Sequence, residues 1–358
     1  MCLEILRGNL MAMQAHFDSG IRLLRQLQHR DRLPTTQHTV LVKHESEVVD
    51  DHLVDVFARL NLQVLMLGHG SQQKETFVPS FRYGRQIRLP RVFCSVGHAR
   101  QSLSPILLSV IYLIKGVERL GVATEPSAAM LARQKALQEA ISEWNASYNY
   151  SVTSQLASIT PQEKLGHLML RVYSDVSTVL LATCFSIRET AYDAHLPVFQ
   201  SMVQRYSSFY AQLEKSNCDL HPFFIIETCL FPPLYFAALK CRHQSTRHQA
   251  IALLRQCHHV EGPWTGPMVA KVAAHVVALE RHFEKSLKPS SSSSQGSSLV
   301  LPEFCRIQCV ECKLPGRRDQ DPYVGTLTLK RFRHELGKEG GWCVSICTVN
   351  LATPLSSP

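Results

Sequence analysis

An all-α, multi-helix fold with a small C-terminal β appendage is predicted for this chain by three observations. Apolar residues recur at helical steps of three and four in nearly every segment up to residue 285. A serine-rich stretch follows Lys288, with a composition that buries too little apolar area to offset the entropy of ordering it. Beyond it the pattern changes to extended runs separated by glycine-containing and charged turns. The expected organisation is therefore a helical region over 1–286, a Ser-rich linker over 287–298, a hairpin or small sheet over 299–350 and a disordered tail over 351–358.

Helix patterns run in order through Leu3 to Leu27, Val49 to Leu67, Leu103 to Leu120 and Met130 to Trp144. The stripe Leu165, Leu168, Val172, Val176, Val179, Thr183 and Ile187 predicts a long helix. Thr160-Pro161-x-Glu163 before it supplies an N-cap and a first-turn proline. Leu196, Phe199, Val203, Tyr206, Tyr210 and Leu213 predict the next helix, between Asp193 and Asn217. The clearest stripe is Val269, Val272, Val276, Leu279 and Phe283, facing Leu254. Its helix should start near Pro267, where the missing amide would have no intrahelical partner. Eight to ten helices are expected, joined by short connections into an antiparallel or solenoid-like array. The extended stretches are Cys305 to Lys313, Tyr323 to Phe332 and Trp342 to Val349.

Composition narrows the function classes. The chain has 358 residues, a formal net charge of +9 and 45% hydrophobic residues, enough for a sizeable core. Lysines and arginines are scattered rather than gathered into one tract, which reads as solubility. The densest basic group is Arg82, Arg85, Arg88 and Arg91, interleaved with Phe81 and Tyr83, and it reads as a solvated loop. No secretory leader pattern precedes the first helix, and the apolar runs Leu103 to Ile114 and Val176 to Ile187 are too short to span a bilayer. No membrane role is expected. Twelve cysteines over this length are sparse, and Cys94, Cys184, Cys229, Cys241 and Cys257 read as buried free thiols.

The sequence contains no Gly-x-Gly-x-x-Gly, no phosphate-binding Gly-Lys-Ser/Thr loop, no His-Glu-x-x-His and no Gly-x-Ser-x-Gly, so no catalytic residues are assigned and no enzyme is expected. Leu67-Gly68-His69-Gly70-Ser71 follows a helix pattern and reads as its glycine terminator. His275 and His282 share a helical face without a cysteine or carboxylate at ligand spacing. One metal constellation is open, Cys309-x-x-Cys312 with Cys343-x-x-x-Cys347, two thiolate pairs that a tetrahedral zinc would use. Against it, strand alternation sends Cys305 and Cys309 to one face and Cys312 to the other. No cofactor is assigned to this chain.

The most specific stretch is Pro232 to Glu280. It runs as Pro233-Leu234-Tyr235, then Lys240-Cys241-Arg242, then Arg247 with Ala250, Leu253 and Leu254, then Glu261-Gly262-Pro263-Trp264, and closes on a helix ending near Glu280. This order and spacing resemble the fungal-specific transcription factor domain, the helical region downstream of the six-cysteine binuclear zinc cluster in fungal regulators. Weaker likeness extends through Phe57 to Gln63, Leu137 to Trp144 and Tyr192 to Phe199. The resemblance implies a nuclear regulator of RNA polymerase II transcription acting through co-regulators or the transcription machinery, with homodimer formation among its arrangements. It also implies zinc and DNA recognition in a cluster that has no counterpart here, because six cysteines crowded beside a basic segment occur nowhere in the chain. The alternative is a helical ligand-binding or protein-scaffolding module that no longer acts in transcription. Physically, Pro232 and Pro233 should stop one helix and start the next, and Leu234, Tyr235, Phe236 and Ala237 should enter a core. One of Arg242 and Arg247 should pair with Glu261 to fix the loop carrying Trp264.

Overall fold

Nine α-helices and eight strands form among the residues described by the computed structural model, which are 4, 9–30, 39–42, 49–67, 76–79, 89–120, 125–155, 160–215, 224–225, 230–286, 301–314, 324–333 and 341–351. The helices are α1 (Leu10–Arg30), α2 (Val49–Met66), α3 (Val96–Leu120), α4 (Ala128–Gln155), α5 (Pro161–Thr183), α6 (Leu196–Lys215), α7 (Phe231–Lys240), α8 (Gln244–Gln256) and α9 (Gly266–Lys285). A 3-10 turn, Glu189–His195, joins α5 to α6, and a second, Glu303–Cys305, precedes the C-terminal strands. The all-α class with a small C-terminal sheet is thus the observed one. The turn at 68–71, Arg82, Arg85 and Arg88 with Phe81 and Tyr83, the linker 287–298 and residues 352–358 lie outside the described residues. Arg91 is described and is exposed.

Local chemistry accounts for the helix limits. At α5, Thr160 accepts from the Glu163 amide while the Glu163 carboxylate accepts from the Thr160 amide, satisfying two of the donors that a helix start leaves free. At α9, Thr265 accepts from the Met268 amide and Pro267 occupies the first turn. Two helices are longer than their apolar stripes. Helix α3 begins about two turns before Leu103 and carries Pro105 inside it. Helix α4 continues past Trp144 to Gln155. Conversely, α5 stops at Thr183 rather than Ile187, where the chain enters the 3-10 turn.

One apolar core runs through α3 to α9. Trp144 is wholly buried on α4, donates Nε1–H to the Ala99 carbonyl at 3.1 Å and stacks on Tyr148. Val172, Val176 and Val179 of α5, Phe199 and Tyr206 of α6 and Leu254 of α8 complete its centre. A smaller core joins α1, α2 and β1 (Thr39–Val42), which pairs in parallel with β2 (Thr76–Pro79); it is built from Phe17, Ile21, Val40, Val54 and Ala58 and met by Leu108 of α3. No described helix is long and apolar enough to cross a membrane.

The C-terminal sheet is antiparallel in the order β6 (Cys309–Lys313), β7 (Val324–Arg333), β8 (Gly341–Asn350). Its inner face does not form a separate core. Ile307, Val310, Cys312, Leu314, Leu327, Leu329 and Leu351 belong to the same buried cluster as the helices. Lys271 of α9 donates to the Asn350 carbonyl at 2.9 Å, and the Arg331 guanidinium lies 3.8 Å from the Phe283 ring centroid.

Candidate functional site

Helix α7 starts as its prolines require, with Pro232 and Pro233 in the first turn and a run of buried residues, Leu234, Tyr235, Ala237 and Ala238, behind them. Burial raises the Tyr235 pKa well above its ordinary value and keeps the hydroxyl protonated. The helix ends at Lys240, and Cys241-Arg242-His243 turns the chain into α8. At this elbow Lys240 and Arg242 point into the interior, and Arg247 follows from the first turn of α8.

These three cations meet two carboxylates. Arg242 donates from Nη1 to Glu189 at 2.9 Å and from Nη2 to Glu280 at 2.9 Å. Arg247 Nη1 lies 2.7 Å from the second Glu280 oxygen, while its Nε donates to the Ala238 carbonyl at 2.8 Å. Lys240 donates to Glu189 at 2.6 Å and to the Gln308 carbonyl at 2.7 Å, with the Tyr192 ring centroid 5.1 Å from its ammonium. The Ile307 amide donates to Glu280 at 2.8 Å, and the Ile307 carbonyl accepts from Arg242. A second pair extends the cluster: the fully buried Arg306 makes a two-pronged contact with Asp193 at 2.8 and 2.7 Å. Glu303 accepts from the amides of Glu189 and Thr190, both at 2.8 Å.

The electrostatics follow from this enclosure. Burial would raise the Glu280 pKa, but Arg242, Arg247 and the Ile307 amide outweigh it and hold the carboxyl below its usual value. Burial would lower the Lys240 pKa, but Glu189 and Tyr192 reverse this and raise it. Glu280 and Lys240 therefore both stay ionised near neutrality. Arg242 Nε and Arg247 Nη2 are buried without hydrogen-bond partners among the described residues. Ions removed from water in this way repay little net stability, but each strongly requires its partners. The cluster thus fixes which segments meet: the 3-10 turn after α5, the α7–α8 elbow, α9 and the chain beyond the linker. It presents buried ion pairs rather than an open pocket with a nucleophile.

Glu261 has a different role from the expected one. Neither arginine pairs with it; both arginines pair with Glu280. Its carboxylate accepts from the Leu230 and Phe231 amides at 2.5 and 3.1 Å and lies 2.7 Å from His259 Nε2, so it caps the start of α7. Glu261 of β4 (Val260–Glu261) faces Trp264 of β5 (Trp264–Thr265), and Gly262 begins the two-residue connection at φ 55°, a left-handed conformation that favours glycine. β4 also pairs in parallel with β3 (Phe224–Ile225). Trp264 is buried, as are Ala250, Leu253, Leu254 and Cys241. The motif residues Lys240, Arg242, Arg247 and Glu280 are therefore brought together, while Glu261, Gly262 and Trp264 form a neighbouring hairpin. Sequence reasoning missed Glu189, Asp193, Glu303 and Arg306. The available signal was Glu303 and Arg306 inside a largely apolar stretch.

The cysteine constellation does not close around a metal. Cys312 and Cys347 both stand opposite Leu327, one on each side of the central strand, so two inter-strand spacings of about 4.8 Å and the Leu327 side chain separate them. Cys309 pairs with Lys330 on the opposite face, and Cys343 pairs with Arg331. Cys305 lies in a 3-10 turn rather than on a strand. No group of three or more metal-ligating side chains occurs among the described residues. A zinc site does not fit this geometry. Cys241 and Cys257 are buried free thiols and Cys184 is half-buried, whereas Cys94 is exposed, with its sulfur 3.3 Å from His98 Nδ1; Cys229 lies outside the described residues. Comparison of the chain with family models, with curated proteins and with solved structures found no match.

Proposed function

We propose that this chain is a non-catalytic regulatory module, the effector region of a nuclear transcription regulator of the fungal zinc-cluster type. It acts through protein partners, and promoter DNA is read by a zinc cluster outside this sequence. One observation carries the reading. Lys240, Arg242, Arg247 and Glu280 stand in the order and spacing of the family motif, and they converge in a single buried cluster although Lys240 and Glu280 belong to different helices. A constellation of this kind is an architectural core, which suits a module whose output is a contact surface rather than a reaction. The buried cluster sets the shape, and the helix surfaces around it are left to meet co-regulators.

The test is a reporter assay in a fungal host. The full chain is fused to a heterologous DNA-binding domain whose operator drives a reporter gene. The expected result is activation or repression relative to the DNA-binding domain alone, abolished by Arg242→Met together with Glu280→Leu only where that pair disrupts the fold. A nuclear, folded fusion that leaves the reporter at the control level would overturn the proposal.

A further inference from the structure

Helices α4, α5 and α6 enclose an open cleft of about 460 Å³. That volume suits one small molecule. Its polar lining comes from helical spacing, because Lys164, His167 and Arg171 are three and four residues apart and so share one face of α5. Arg205 of α6 faces them across the cleft, and Tyr148 of α4 forms part of its wall.

The charges here are not balanced as they are in the buried cluster. Neither Lys164 nor Arg171 forms a close ion pair among the described residues: Glu163 next to Lys164 is engaged in the helix cap, and Asp175, one turn beyond Arg171, acts on it only at longer range. Arg171 instead lies with its guanidinium carbon 4.7 Å from the Tyr148 ring centroid, which holds it flat against the wall. Arg205 is steadied by Ser201, and its nearest carboxylate oxygen, Asp175 Oδ2, is 3.9 Å away. Burial raises the Asp175 pKa, with Arg205 and Arg171 opposing the shift. Burial lowers the His167 pKa, so the ring stays neutral near pH 7. His167 Nδ1 is hydrogen-bonded to the Tyr148 hydroxyl, whose own pKa is pushed up to about 12 by burial, so the hydroxyl stays protonated. The other ring nitrogen, Nε2, is a buried atom with no partner among the described residues. Leu168 and Phe209 supply an apolar floor beside these polar groups.

We propose that this cleft binds a small organic anion, a carboxylate or phosphate ester carrying a flat apolar body. The anionic group lies among Arg171, Lys164 and Arg205, and the body lies on Phe209 and Leu168. A planar guanidinium held by an aromatic ring matches the two oxygens of such a group, and an arriving anion offsets the cost of keeping Arg171 half-buried without a close ion pair. The proposal rests on the cleft alone and does not depend on the transcriptional reading.

Ligand-observed NMR titration of the full chain with phenyl phosphate and with benzoate tests it, with benzyl alcohol as the neutral analogue and inorganic phosphate as the bare anion. Wild type should bind at least one of the two organic anions. Arg171→Gln should weaken that binding by about tenfold or more, the loss of one two-pronged charged contact, while the exposed Lys135→Gln leaves it unchanged. Should Arg171→Gln fail to fold, as judged by its thermal melt, Lys164→Gln at the exposed start of α5 carries the comparison and should also weaken binding. Three results each overturn the proposal: no binding of either organic anion at millimolar concentration, unchanged affinity in the folded charge variant, or equal affinity for benzyl alcohol or inorganic phosphate.

Discussion

Glu280 is the residue on which the buried cluster turns, because among the described residues it alone bridges both arginines and the backbone of the chain beyond the linker. Glu280→Gln keeps the shape but removes the charge, leaving Arg242 and Arg247 less well compensated in a dry interior. The expected cost is about 3–5 kcal/mol, read by urea unfolding. The same residue fixes a pH dependence. Its folded pKa lies below its unfolded value, so the stability it contributes is present above about pH 4.3, the ordinary glutamate value, and is lost as pH falls through the folded pKa. Wild type should therefore lose stability steeply on acidification below pH ~4, and Glu280→Gln should show a shallower slope there. Parallel slopes would mean that the carboxyl is not held low by its partners.

At the scale of elements, the join between α8 and α9 depends on one close approach. A Cβ at Gly266 would stand 2.2 Å from the Leu254 carbonyl oxygen and 2.7 Å from the Cys257 Cβ, and the first of these contacts is backbone. Gly266→Ala must push α9 away from the end of α8, so it should destabilise by about 2 kcal/mol or more, the range of an overpacked core. Thermal unfolding followed by circular dichroism checks this, with Gly97→Ala as the comparison, since its nearest contact would be 3.7 Å away. Equal midpoints for the two variants would show that the α8–α9 contact yields easily. The hairpin carrying Gly262 was hidden from periodicity for a related reason. Two-residue strands such as β4 and β5 are too short to show alternation, so only the glycine at positive φ marks the turn.

Over the whole molecule, the C-terminal sheet is built into the helical core. Arg306, Ile307 and Gln308 enter the charged cluster and Leu327 and Leu329 enter the apolar one. A chain ending at Ser286 loses the Ile307 and Gln308 contacts and leaves Asp193 without Arg306. Losing such a network should lower the unfolding midpoint by about 5–10 °C relative to the full chain, measured by differential scanning calorimetry. A truncated chain that melts with the full one would show that the sheet adds nothing to the core. The outward side of β8, by contrast, leaves Val344 and Ile346 exposed, so the sheet buries only its inner face.

The amino-acid sequence by itself determined the helical class, the cap of α5 and the start of α9 at Pro267, the buried stripes and the three C-terminal strands, because each shows in a pattern of residues a few positions apart. It also singled out Lys240, Arg242, Arg247 and Glu280. Only the tertiary structure decided their partners. Glu189 lies 53 residues from Arg242 in the chain, and Asp193 lies 113 residues from Arg306, separations over which neither periodicity nor local spacing carries any signal. The sequence suggested Glu261 for the arginines because it is the nearest glutamate within the motif. Folding instead brought in Glu280 from the facing side of α9, since a buried charge is matched by what the packing of helices places within reach. The cleft between α4, α5 and α6 has the same origin: the spacing of Lys164, His167 and Arg171 is visible in one helix, but the Tyr148 ring and Arg205 that complete it come from two others.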